Sequence, residues 1–536
     1  METPDNDFVV VGSGMSGAVV AHTLVTAGAR VHLLDVGNQD TTYRDLIPDK
    51  GFEHIRQEDS LQHEYFLGKQ FEGVPWTNTR VGSQLTPPRQ YITRQVEDLL
   101  FTQSDSFTPM ESLAYGGLGS GWGLGCNVYR DQELVKMGLN PAKMRTAYQA
   151  VSDLVGVAVN QDLVRPYTLG QVNTAYAAPQ VDLNSQLLLN KYLKKQSKYI
   201  SRGFYMGQPA IAAVTQDQAE RRALPYHNMD FYTDQRRSAF RPWILIDRLK
   251  QQANFQYQSQ SFVTSFREEN GQVWVNYLDT ATREQKQIKA RKLILATGAI
   301  GSARIVLRSL GQDQQLPIVC NPYVYFACIQ PKMLGKQITQ ERTSLGQLAL
   351  FYDQEPDEDV ITSGIYSYSS LLLFRLMKEA PLNFKDSRIL FQYLHSTLSV
   401  AGVHFADYPT SQKFLKLAPN PESVTQDQLS IEYSLSDAEQ LIIRKGSKKI
   451  AAFLRSLRCF PLKKILTPAG ASIHYGGTLP IGDTASAFSL NEKGLITGTQ
   501  NVYVADSAGF RYLPSQGLSF TIMAWAYLVA NQALKS

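Results

Sequence analysis

The sequence predicts an α/β protein organised around a dinucleotide-binding sheet, and three observations carry that expectation. Residues 8–35 read as strand, glycine turn, helix, strand and acid. Residues 291–309 read again as strand, turn and helix. The chain has 536 residues, 43% of them hydrophobic and 19% charged, so a large core is within reach and wholesale disorder is excluded. At about 150 residues per domain, that length suggests three to four units.

In the opening unit, Phe8-Val9-Val10-Val11 is a continuous apolar run suited to a strand buried on both faces. It stops at Gly12-Ser13-Gly14-Met15-Ser16-Gly17, a helical pattern follows, and a second strand, Arg30–Leu34, ends at Asp35. Each part has a physical reason. Gly12 makes the tight turn, Gly14 lets a pyrophosphate approach the backbone, and Gly17 lets the helix pack closely on the strand. The helix N-terminus offers unpaired N–H groups to the anion. Asp35, 18 residues after Gly17, is placed to accept bonds from ribose hydroxyls and would repel a 2′-phosphate. The motif alone does not separate FAD from NAD.

Three further segments narrow the reading. Residues 291–309 contain Ala296-Thr297-Gly298 between a strand and a helix. Residues 111–129 hold six glycines, backbone that can lie flat against a planar ring. Residues 473–506 place His474 before Gly476-Gly477-Thr478, then a strand ending at Asp506, and an apolar helix follows to the C-terminus.

Taken together, blocks 7–35, 111–130, 291–309 and 472–532 resemble the glucose–methanol–choline (GMC) family of flavin oxidoreductases, in that family's order and at roughly its spacing. Phe262-Val263-Thr264 is a weaker fifth match, where the family makes a backbone contact to adenine. The resemblance implies a Rossmann-like, glutathione reductase-like FAD domain (1–130, 201–325 and 466–536) and a second α+β substrate-binding domain (131–200 and 326–465). It implies that Gly12, Gly14, Ser16, Gly17 and Asp35 hold the ADP half of FAD, with Val263, Ala296 and Gly298 near it. Gly116, Gly117, Ser120, Trp122 and Phe520 would surround the flavin, and Asp506 would bond the ribityl or pyrophosphate region.

Of the eight histidines, His22 and His32 fall on the first helix and second strand and read as structural. His474, in the matched block, corresponds to the family's active-site histidine. An imidazole with an ordinary pKa near 6.5 suits removal of a hydroxyl proton while flavin N5 takes the hydride. The family normally adds a second His or Asn just before the last helix. Here that stretch, residues 513–521, holds neither, and Ser519 or, second, Gln516 is the candidate partner. Some members attach flavin covalently through a His in a GGxSTHW pattern. Gly121 stands at that position here, so FAD is expected to be non-covalent.

The activity implied is oxidation of a small-molecule alcohol, lipophilic or a biosynthetic intermediate, with an electron acceptor that the residues do not specify. The alternatives are non-oxidative flavin chemistry (isomerisation, elimination or decarboxylation) and a non-catalytic flavin-binding protein. Residues 366–384 read first as a buried helix, and alternatively as a hydrophobic entrance or a peripheral membrane surface. Lys plus Arg exceed Asp plus Glu by 53 − 48 = 5, with no dense basic block, so no nucleic-acid partner is expected. Cys126, Cys320, Cys328 and Cys459 form no CxxC pair, so reduced thiols and no metal site are expected. With acids where a secretory signal would be basic, and no run of 18 apolar residues, a cytoplasmic location is expected.

Overall fold

The computed structural model describes residues 6–73, 86–311, 313–336, 342–355, 358–367, 381–482 and 488–536. The opening strand, Asn6–Val11, lies in the middle of a seven-stranded sheet. Val31–Leu34 runs parallel to it on one side and Gln285–Leu295 on the other, with Phe8 opposite both Val31 and Lys292. Phe255–Gln258 and Val502–Val504 add parallel strands at the two flanks. The long strand Gln285–Leu295 also pairs antiparallel with Gln272–Asp279, which leads on to Ser261–Glu269. Helices Met15–Thr26, Ser519–Lys535 and Pro242–Leu249 pack together against this sheet, while Gly298–Leu310 packs on Ser261–Glu269. Coverage on both faces explains why Val9, Val10, Leu33 and Leu34 are fully buried with no polar alternation.

A second sheet has six antiparallel strands in the order Phe460–Leu466, Tyr323–Ile329, Leu398–His404, Ile361–Ser367, Leu348–Tyr352 and Phe204–Gly207. Strand periodicity divides its faces. Val324, Phe326, Ala401 and Val403 pack in one core with Ile450, Phe453 and Leu454 of helix Asp437–Ser456. The alternate residues Tyr323, Tyr325, Val400 and His404 point to the other face and line a cavity. That helix starts with a capping box, the Ser436 side chain accepting from the Glu439 backbone and Glu439 returning the bond.

The sheets cut the chain differently from the sequence boundaries. Phe204–Gly207 and Tyr323–Ile329 fall partly or wholly in segments assigned to the FAD domain, yet both belong to the second sheet. Conversely, Lys413–Pro419 and Asp427–Tyr433 pair with Leu316–Pro317 and Thr102–Gln103, and their apolar residues join the first core. Helix Pro141–Val155 likewise packs on Ser519–Lys535. Long-range pairing decides these memberships, and no local signal marks it.

Among the described residues no helix is long and apolar enough to cross a membrane, and no cluster of His, Cys, Asp or Glu could hold a metal ion. All four cysteines are buried and unpaired by disulfide. Most of the apolar stretch 366–384, from 368 to 380, lies outside the described residues.

Candidate active site

One cavity of about 610 Å³ runs from the C-terminal ends of the parallel strands to the six-stranded sheet. Its nucleotide end is mostly backbone. Gly12 has φ +93°, and a Cβ there would meet the Ala296 carbonyl oxygen at 2.9 Å. At Gly17 a Cβ would lie 1.8 Å from the Gly12 carbonyl oxygen, so only glycine lets the helix start so close to the strand. Gly14 and Gly298 differ: a Cβ on either would meet nothing within 4 Å, because both border open cavity. The unpaired N–H groups at the start of helix Met15–Thr26 face the same space.

Two carboxyls sit at this end, both almost fully buried. Asp35 ends the second strand and accepts bonds from Ser13 Oγ and, at 3.2 Å, Tyr257 Oη. Burial outweighs those bonds and pushes its pKa up to about 7. Asp506 accepts from Ser302 Oγ at 2.6 Å and from the Ala508 amide at 2.9 Å, and burial raises it to about 6. Buried carboxyls with capacity to spare, facing a cavity, suit a ligand that brings hydroxyl donors. Ser13 Oγ also accepts from the Gly116 amide at 2.8 Å, tying the glycine-rich wall to the first turn. That wall approaches closely: a Cβ on Gly117 would sit 3.2 Å from Gly14 Cα. Trp122 borders the cavity and donates its indole N–H to the Phe240 carbonyl at 2.9 Å.

At the far end stands His474. A two-residue antiparallel ladder sets Val319 opposite Gly476 and Cys320 opposite Tyr475, so Asn321 arrives beside His474. Asn321 Nδ2 donates to the carbonyls of Phe405 at 2.8 Å and Pro514 at 2.9 Å, which identifies it as the amide nitrogen. Asn321 Oδ1 is therefore the acceptor that lies 3.1 Å from His474 Nδ1. The proton of a neutral His474 thus sits on Nδ1, leaving the Nε2 lone pair as the basic site. Burial pulls the His474 pKa down to about 4, so the imidazole is neutral at pH 7. The preceding Ile473 has φ +61°, a conformation that costs energy in a β-branched residue and sits in the turn presenting His474.

Under His474 lies a second imidazole. His404 stacks on it with ring centroids 4.9 Å apart and planes 24° from parallel, and Tyr323 stacks on the opposite face of His404 at 4.3 Å.

Gly12, Gly14, Ser16, Asp35, Gly117, Trp122, Val263, Ala296, Gly298, His474, Asp506 and Ser519 all border the one cavity. Five other expected site residues stand behind its wall. Gly17 acts in helix packing. A Cβ on Gly116 would strike Ser120 Oγ at 2.5 Å, and Ser120 spends its hydroxyl on the Tyr115 carbonyl at 2.7 Å. Phe520 is fully buried and stacks on Tyr148 with centroids 5.3 Å apart. Gln516 is also fully buried, and its Nε2 points to Glu133 Oε2 at 3.4 Å. For Phe520 the reason is helical phase: Ser519 and Ile522 of the last helix face the cavity, whereas Phe520 turns inward.

Sequence reasoning did not find Ser13, Tyr257, Asn321 or His404. Ser13 lay inside the recognised glycine turn. The other three carry no local signal, because strand pairing alone brings them to the site.

A family model described as an NAD(P)-binding Rossmann-like domain matches residues 10–53. No curated protein sequence gives a significant match. Among solved structures, pyridoxine 4-oxidase from Mesorbium loti superposes with a TM-score of 0.62 at 13% identity, over 99% of this chain and 100% of that one. At that identity the likeness establishes the fold alone: a Rossmann-like dinucleotide-binding domain joined to a second domain.

Proposed function

We propose that this chain, which carries the GMC fold, is an FAD-dependent oxidoreductase that oxidises the CH–OH group of an alcohol, with His474 as the base. The residues present fit FAD. Gly14 and Gly298 leave backbone open to a pyrophosphate, Asp35 and Asp506 await hydroxyl donors, and the glycines near Gly117 give a wall without Cβ atoms. Asp35 disfavours a 2′-phosphate. Bound there, FAD would supply the hydride acceptor.

The observation that carries the reading is the fixed tautomer of His474. Asn321 holds the proton on Nδ1, so Nε2 enters the reaction as a neutral acceptor. Nε2 takes the hydroxyl proton as the carbinol C–H bond breaks, and the resulting imidazolium keeps its Nδ1–H bond to Asn321. Ser519, at the start of the last helix, offers a hydroxyl that positions substrate and is a poor base. Gly121 offers no atom for a covalent link, so acid precipitation should leave the flavin in the supernatant. A family neighbour acting on pyridoxine supports a carbinol on a flat ring as a first substrate to try.

The test is anaerobic mixing of the FAD-loaded protein with a panel of primary and secondary alcohols. Bleaching of the oxidised flavin by at least one of them is expected. A flavin that binds yet is bleached by none would favour the non-oxidative reading.

A further inference from the structure

The GMC pattern puts a second His or Asn before the last helix, and none is there; the second imidazole of this cavity comes instead from the other sheet. His404 is the last residue of strand Leu398–His404, opposite Tyr323 on one neighbouring strand and Thr362 on the other. Its ring is clamped between Tyr323 and His474, which fixes its plane without using either nitrogen. Nδ1 is buried in the wall with no hydrogen-bond partner among the described residues, so the nitrogen left to meet a ligand is Nε2, on the side of the ring that opens onto the cavity His404 lines. His474, by contrast, has its Nδ1 committed to Asn321.

A neutral imidazole has one donor and one acceptor, and leaving a buried polar atom unmatched costs about 1–3 kcal/mol. Nothing in the packing demands this cost. The stack between Tyr323 and His474 would be served equally by phenylalanine, which has no polar atoms to bury. Tyr325, Tyr366, Phe351 and Val400 face the same space, and the hydroxyl nearest in the sheet, that of Thr362, is already bonded to Ser515 Oγ at 2.8 Å.

We infer that His404 is a substrate-binding residue: it hydrogen-bonds a second polar atom of the alcohol, so that the preferred substrate is a flat, largely apolar carbinol with a hydrogen-bonding atom away from the reacting hydroxyl. This rests on the alcohol-oxidation reading of the same cavity. His474 then handles the reacting hydroxyl, and His404 sets which end of the molecule lies against it. Selectivity arises because a carbinol lacking the second polar atom covers His404 Nε2 without matching it.

The experiment compares benzyl alcohol with 3-pyridylmethanol, which differ by one ring nitrogen, on the FAD-loaded protein. Equilibrium binding is read from perturbation of the flavin spectrum in a His474→Phe background, which removes the base and keeps a ring on that face of His404, and reduction from anaerobic bleaching with His474 intact. The expected result is tighter binding of 3-pyridylmethanol, by about tenfold, lost in His404→Phe and partly restored in His404→Gln. His404→Phe keeps the stack, so FAD content and the pH profile of reduction should stay as in the parent. Equal affinity of parent and His404→Phe for both alcohols overturns the proposal, as does failure of 3-pyridylmethanol to bind. Selective, His404-dependent binding with no bleaching by any alcohol would sustain the His404 contact and overturn the oxidation reading instead.

Discussion

The two ends of the cavity are built differently. At the nucleotide end the wall is mainly backbone: Gly12, Gly14, Gly117 and Gly298 set how closely a ligand can approach, and two carboxyls follow parallel strands of the same sheet. At the substrate end the wall is side chain. Asn321, His404 and His474 come from three separate stretches of chain and meet through sheet pairing. A backbone site depends on local spacing, so it tolerates change around it but not at its glycines. A side-chain site depends on partners, so changing one residue alters the tautomer or pKa of another.

The sharpest way to break this contrast is at His474. His474→Ala should retain FAD and slow flavin reduction by about 10²–10⁴-fold, the usual worth of a general base. Stopped-flow bleaching measures it, and an unchanged rate would remove the base from the mechanism.

At the other end, Asp35→Ala should weaken FAD binding by about 1.5–3 kcal/mol while leaving reduction of the bound flavin unchanged. Its pH dependence sharpens the point. Hydroxyl donors bind the ionised carboxylate, and Asp35 has a pKa of about 7 in the ligand-free cavity. The affinity of apoprotein for FAD should therefore decline as pH falls below about 7, and Asp35→Ala should flatten that decline. Titration of apoprotein with FAD at several pH values gives both.

Asn321→Leu removes the acceptor that holds the His474 proton on Nδ1. Reduction should slow by about tenfold or more as the wrong tautomer is populated, with FAD affinity unaltered. In the parent, His474 loses its basic lone pair only as pH falls toward about 4, so reduction should be flat from pH 6 to 8 and decline at lower pH. Asn321→Asp should move that decline upward, because a carboxylate stabilises the imidazolium. A parent rate still rising between pH 6 and 8 would show that His474 titrates near its ordinary value.

The smallest effect is expected at Ser519. Ser519→Ala should slow reduction by less than about tenfold, since a neutral hydroxyl only positions substrate. Loss equal to that of His474→Ala would mean that the two act as a unit.

Legibility followed the same division. The glycine turn, the carboxyl at Asp35, the strand ending before Ala296 and the histidine before Gly476-Gly477 all appear as short patterns, because each is made within one strand–turn–helix unit. The Gln516 and Phe520 placements were misjudged because spacing before a helix does not reveal which residues face a cavity. Within the last helix a shift of one position, from Ser519 to Phe520, turns a side chain by about 100°. Asn321 and His404 were invisible for a different reason: a strand residue shows only its alternation, and its partner across the sheet is set by register.

By itself, then, the sequence determined the dinucleotide unit, its glycine-lined turn and the histidine that faces its far end, since steric and helix-terminus requirements act over a few adjacent residues. Only the tertiary structure decided the environment of that histidine. Its neutral state comes from burial, its tautomer from an asparagine 153 positions away, and its stacking partner from a second sheet. Burial and cross-strand contact are properties of packed surfaces, and they exist only once distant segments meet.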